Sequence, residues 1–97
     1  MSEEAIGGHR RREVYYSGQV QGVGFRYTAQ RLARRYDVGG YVRNLRDGRV
    51  ELVAEGSASE LEAFLTELYG AMRPYIRDVQ TVDQAARDDF DGFDIRF

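Results

Sequence analysis

Apolar and polar residues alternate along this chain with two periods, and the switches between them mark its elements. Over residues 13–20, Val14, Tyr16, Gly18 and Val20 share one side and Tyr15, Ser17 and Gln19 the other, the pattern of a strand. Phe25, Ala29, Leu32, Ala33 and Tyr36 then recur at helical spacing as one apolar stripe, with Arg31, Arg34 and Arg35 on the wet side. Gly39-Gly40 is expected to stop this helix. Residues 41–45 read as a short strand, Asp47-Gly48 as a tight hairpin turn, and 49–55 as the return strand with Val50, Leu52 and Ala54 inward. Ser57-Ala58-Ser59-Glu60 is a capping box. It opens a second helix whose stripe is Leu61, Phe64, Leu65, Leu68 and Met72, with Pro74 just past its end. Residues 76–85 form a fourth strand whose Ile76, Val79 and Val82 alternate imperfectly, which points to a bulge or a late start. Phe93, Ile95 and Phe97 alternate with Asp94 and Arg96 in a last short strand.

The order β-α-β-β-α-β plus a terminal strand predicts two split βαβ units with right-handed crossovers. The expected fold is a ferredoxin-like α/β sandwich, an antiparallel sheet with both helices on one face. Residues 1–12 show no periodicity and read as a disordered tail whose His9-Arg10-Arg11-Arg12 charges are simply solvated. Residues 13–97 are then one domain.

Composition narrows the chemistry. Ninety-seven residues leave room for one small core. Fourteen Lys and Arg against sixteen Asp and Glu give a net charge of -2 and no general attraction to nucleic acid. Any anion site must be local. There is no cysteine, which excludes disulfides, thiolate metal sites and cysteine nucleophiles, and the single histidine, His9, falls in the tail. No apolar run reaches membrane length and no signal-peptide core stands at the N-terminus, so a cytoplasmic monomer is expected, with no membrane or nucleic-acid partner. Asp88, Asp89, Asp91 and Asp94 lack the glycine and glutamate placement of a calcium loop and read as a solvated turn, so no metal site is assigned. Tyr15 and Tyr16 lack the basic-aromatic signature of an RNA-binding sheet and read as packing.

One stretch concentrates the remaining chemistry. Gly18-Gln19-Val20-Gln21-Gly22-Val23-Gly24-Phe25-Arg26 joins the first strand to the first helix. Its glycines permit positive φ and close approach to the main chain. The first N–H groups of a helix lack intrahelical acceptors and carry the positive end of its dipole. Arg26 adds a planar, permanent charge. A phosphate or carboxylate pocket over Gln21, Gly22, Val23, Gly24, Phe25 and Arg26 is one reading. An arginine paired with a nearby acid, beside glycines that only permit a turn, is the other. Asn44 ends the second strand; its amide could orient a water, or could bond its own backbone at a strand-to-turn junction.

The stretch from Gly18 to Arg26 resembles the signature of the acylphosphatase family. Gly40-Tyr41-Val42-Arg43-Asn44 followed by Asp47-Gly48-Arg49-Val50-Glu51 is similar to that family's second motif, in the same order and spacing. The resemblance covers about residues 13–97. It implies hydrolysis of acyl phosphates such as acetyl phosphate without a metal or other cofactor, with inorganic phosphate as product and inhibitor. It further implies that the Gln21–Arg26 loop cradles the phosphate through backbone amides, that Arg26 clamps its charge and that Asn44 positions the attacking water. Tyr41 stands where the family usually has Trp, and Leu45 where some members carry a hydroxyl. The segment 69–74 also departs from the family's usual Gly-Pro connection. These departures are expected to fall on the pocket rim and to bear on acyl-group preference. Two other functions fit the fold class: a carbamoyl- or acyl-phosphate binding module without turnover, and an RNA-binding domain.

Overall fold

The elements follow from where each segment can hide its apolar face. A computed structural model of the chain, described here for residues 8–97, has strands β1 (His9–Gly18), β2 (Val38–Asn44), β3 (Val50–Ser57), β4 (Ile76–Ala85) and β5 (Phe93–Arg96). Helices α1 (Phe25–Ala33) and α2 (Ala58–Met72) lie between them, and one 3-10 turn (Arg73–Tyr75) precedes β4. The sheet order is β4-β1-β3-β2-β5. The core is formed where Val14, Tyr16, Val42, Leu52 and Ala54 of the sheet meet Phe25, Ala29 and Leu32 of α1 and Leu61, Phe64 and Leu68 of α2. This is the expected two-layer α+β sandwich, with both helices against one face of the sheet. Among the described residues no helix is long and apolar enough to cross a membrane.

Four features differ from the sequence expectation. First, β1 begins at His9, so residues 9–12 are strand rather than tail; residues 1–7 lie outside the described residues. Arg10 and Arg12 both reach Asp83 on β4, and Arg11 pairs with Glu13 and with Glu55 on β3. The basic cluster is therefore a charged strand end whose acidic partners stand far away in sequence. Second, the sheet is mixed: β1, β3, β4 and β2 pair antiparallel, but β5 runs parallel to β2. The chain leaves β4 at one edge and crosses the end of the sheet before entering β5 at the other edge. That route forces β5 to run alongside β2 rather than against it.

Third, α1 ends near Arg34, with Tyr36 beyond it, and Gly39-Gly40 belong to β2. Gly40 has φ +151°, and a Cβ there would stand 1.9 Å from the Val53 carbonyl oxygen, so these glycines admit close strand approach rather than stopping a helix. Fourth, the capping box is half-made. Ser57 accepts from the Glu60 N–H at 3.2 Å, but Glu60 turns its carboxylate to the Asp37 N–H at 2.7 Å. It thereby ties α2 to the start of β2. The irregularity at β4 is a bulge: Ser17 faces Asp78 while Gly18 faces Ile76, leaving Arg77 extra.

The two ends of the sheet are distinct. At one end the crossing segment 86–92 is held by the buried Glu55 carboxylate, which accepts from the Arg87 and Asp88 N–H groups at 2.9 Å each and from Arg11 at 3.0 Å. The Arg11 guanidinium also lies over the Phe90 ring at 5.4 Å. The other end gathers the close of β1, the start of α1, the close of β2 and the close of β5.

Candidate functional site

The loop between β1 and α1 is pinned at both ends by apolar burial. Val20 is wholly buried, and the Phe25 ring packs on Tyr16 with centroids 4.7 Å apart. The Gln19 N–H donates to the Tyr75 carbonyl at 2.9 Å. Between the two anchors, Gly22 and Gly24 have φ of +79° and +80°, which place both in the left-handed region that glycine enters without strain. Gly24 is also the N-cap of α1, so no side chain caps that helix, and no acid stands in its first turn. The first intrahelical bond runs from the Thr28 N–H to the Gly24 carbonyl at 3.0 Å. The amides before Thr28 therefore point out of the helix end, where its dipole is positive.

A hydrogen-bonded clamp ties this loop to the β2–β3 hairpin. The Gln21 carboxamide donates from Nε2 to the Leu45 carbonyl at 2.7 Å and to the Arg49 carbonyl at 2.9 Å. The hairpin that follows Asn44 and the loop that leads to Arg26 are thus joined directly. Arg26 is held in turn by Arg96 and Phe97. Its Nη1 makes a long bond of 3.4 Å to the Arg96 carbonyl, and its guanidinium lies 4.8 Å from the Phe97 ring centroid. Among the described residues no carboxylate pairs with Arg26, which removes the reading in which an acid satisfies it. Nor does any backbone group of the described residues hydrogen-bond the Asn44 amide.

A cleft of about 150 Å³ opens between these elements, lined by Val20, Gly22, Gly24, Phe25, Arg26, Tyr27 and Asn44. The structure thus brings together five of the seven residues singled out from the sequence. Gln21 and Val23 do not line the cleft. Gln21 serves as the clamp, and Val23 packs part-buried against the core. Phe25 contributes main chain, since its ring is in the core. Arg26 and Asn44 come from different layers and meet only through the fold.

Two lining residues and two supports were not anticipated. The alternation puts Val20 on the buried face of the first strand; it is buried, but β1 ends at Gly18 and Val20 lies in the loop beyond it, where it also lines the cleft. Tyr27 had a legible signal: an aromatic on the first turn of a helix, off the apolar stripe. The support of Arg26 by Arg96 and Phe97 had none, because it is a contact across 70 residues of sequence. Tyr41 and Leu45 do not form the rim. Tyr41 lies on the sheet face away from the helices, with the Arg96 guanidinium 3.8 Å from its ring centroid, and Leu45 takes part through its carbonyl. Around Tyr41 and Tyr15 that face is a layer of alternating charge, with Glu51 accepting from Arg43 at 2.6 Å and from the Tyr15 hydroxyl at 3.1 Å. Burial and the Glu51 bond push the Tyr15 phenol up, which keeps it neutral.

The cleft thus combines an uncapped helix end with glycines in the left-handed region, the Arg26 guanidinium, which among the described residues has no carboxylate partner, and the Asn44 carboxamide. The sequence model of the family described as Acylphosphatase matches residues 12–95. An acylphosphatase of Archaeoglobus fulgidus is 41% identical over 86 residues, covering 88% of this chain and 96% of that protein. One of Solibacter usitatus is 42% identical over 98 aligned positions, covering 99% of this chain and 100% of its own length. The crystal structure of acylphosphatase from Bacillus subtilis superposes with a TM-score of 0.82 at 29% identity, over 91% of this chain and 99% of that one. Motifs, topology and relatives agree, and the chain belongs to the acylphosphatase family.

Proposed function

We propose that this enzyme hydrolyses acyl phosphates without a metal, holding the phosphoryl group on the Gln21–Arg26 loop and delivering water from Asn44. The observation that carries the reading is the shared cleft: Arg26 and the α1 amides on one wall, Asn44 on the other. No carboxylate, imidazole or thiolate is among the lining residues, so the donor set suits an anion rather than a cation. An acyl phosphate is already activated. The work left to the protein is orientation of water and neutralisation of charge on the transferring group.

In the proposed step the oxygen of a water oriented by hydrogen bonds to the Asn44 carboxamide attacks phosphorus. The bond between phosphorus and the bridging oxygen breaks, and the carboxylate leaves with the electron pair. The guanidinium of Arg26 and the main-chain amides neutralise the equatorial oxygens as negative charge spreads over them. No general base lines the cleft, so a phosphoryl oxygen of the substrate takes the water's proton. The substrate is a small acyl phosphate, inorganic phosphate is product and inhibitor, and the protein works as a cytoplasmic monomer.

Arg26→Ala should lower kcat/KM for benzoyl and acetyl phosphate by about a thousandfold and abolish inhibition by phosphate. Arg26→Lys should also fail, because an ammonium lacks the planar two-donor fork. Asn44→Ala should lower kcat by about a hundredfold with phosphate inhibition kept. A chelator should leave the rate of the unsubstituted protein unchanged. Unaltered hydrolysis in either alanine variant would refute the assignment, and phosphate binding without turnover would favour a binding module.

A further inference from the structure

The cleft has one side chain that the proposed phosphate binding does not use. Tyr27 lines it, yet is 64% exposed; among the described residues only Phe97, at 91%, is a more exposed large apolar side chain. Both stand beside Arg26. Phe97 is engaged, since the Arg26 guanidinium lies over its ring. Among the described residues the Tyr27 hydroxyl has no hydrogen-bond partner and its ring stacks on no other aromatic. Its position at the cleft, and not its exposure alone, makes this ring available to a ligand held there.

Position on the helix says where that ring is aimed. Tyr27 is the third residue of α1, and helical side chains lean toward the N-terminus, so each covers the surface of the turn before it. For Tyr27 that surface is the open end of α1, where the cleft lies. Asn44 belongs to the sheet and Tyr27 to the helix layer. In-line displacement requires the attacking water and the leaving carboxylate on opposite sides of phosphorus. A water held from the sheet side and an acyl group held from the helix side are compatible with that requirement.

We infer that Tyr27 is the acyl-group contact of this enzyme and that it favours acyl phosphates with an aromatic or extended apolar acyl chain over acetyl phosphate. The inference rests on the phosphate site proposed above. The ring supplies flat apolar area to the acyl chain as it leaves, while the phosphoryl end is held by groups that do not sense the acyl part. Selectivity then resides at Tyr27 rather than at Tyr41 or Leu45, which do not line the cleft.

The test is the ratio of kcat/KM for benzoyl phosphate to that for acetyl phosphate, with the inhibition constant of inorganic phosphate measured alongside. Tyr27→Ala should lower the ratio about tenfold, chiefly through KM for benzoyl phosphate, while phosphate inhibition stays within about twofold. Tyr27→Phe should restore the ratio, because the ring and not the hydroxyl makes the contact. A ratio unchanged in Tyr27→Ala overturns the inference, as does equal loss on both substrates with weakened phosphate inhibition, which would mark a structural role. Failure of the unsubstituted protein to hydrolyse either substrate overturns instead the phosphate-site reading beneath it.

Discussion

At the scale of single residues, the site depends on backbone conformation as much as on charge. Gly24 caps α1 at φ +80°, with no atom within 4 Å of where a Cβ would stand. The constraint there is torsional and not steric crowding. Gly24→Ala should cost about 1–2 kcal/mol, the strain of an L-residue in the left-handed region. It should weaken phosphate inhibition more than it lowers the melting temperature, because relief of the strain re-aims the amides that follow. Thermal melts together with phosphate inhibition would check this. The residue scale is also where the sequence was most legible. Three glycines before an arginine at a strand-to-helix junction already imply an anion nest. Asn44 was not legible by its own chemistry; the family motif assigned it, and the fold then put it in the same cleft as Arg26.

At the scale of elements, the clamp at the far end of the sheet ties the segment that leads into β5 to β1 and β3. Glu55 is 6% exposed and joins β3 to β1 through Arg11 and to the crossing segment through two backbone amides. Burial pushes its carboxyl up, but the bonds from the Arg87 N–H, Arg11 and the Asp88 N–H outweigh this and hold it below its ordinary 4.5. A carboxyl depressed in the folded state stabilises the fold fully above its unfolded value. That contribution is lost as pH falls from about 4.5 through the lower folded value. Glu55→Ala should therefore destabilise by about 3 kcal/mol at neutral pH and flatten the acid limb of the stability profile. Urea titrations between pH 3 and 7 would show it. An acid limb as steep as that of the parent protein would contradict the clamp. None of this was visible in the linear pattern, since Arg11 read as tail charge and the partners of Glu55 come from residues 11, 87 and 88.

At the scale of the whole molecule, the cleft proposed as the active site and the Glu55 anchor occupy opposite ends of one sheet. The cleft end assembles residues 20–27 with Asn44, the Leu45 and Arg49 carbonyls and the Arg96 carbonyl. A ligand that binds there adds to the stability of the whole fold by mass action. Inorganic phosphate at ten times its dissociation constant should stabilise by about 1.4 kcal/mol and raise the melting temperature by roughly 6 °C for a domain of this size. Arg26→Ala should remove that shift while keeping the melting temperature in buffer close to that of the parent. A phosphate-induced shift that survives in Arg26→Ala would place the anion elsewhere on the protein.

The sequence by itself determined the element order, both apolar stripes, the hairpin turn and the glycine-arginine loop, because each is a local pattern of period or torsion. Only the tertiary structure decided the direction of β5, the strand character of residues 9–12 and the gathering of Arg26, Asn44 and the Arg96 carbonyl at one end of the sheet. Those depend on pairings across tens of residues, which no local periodicity encodes. They are settled when burial of the shared core brings the strand ends together.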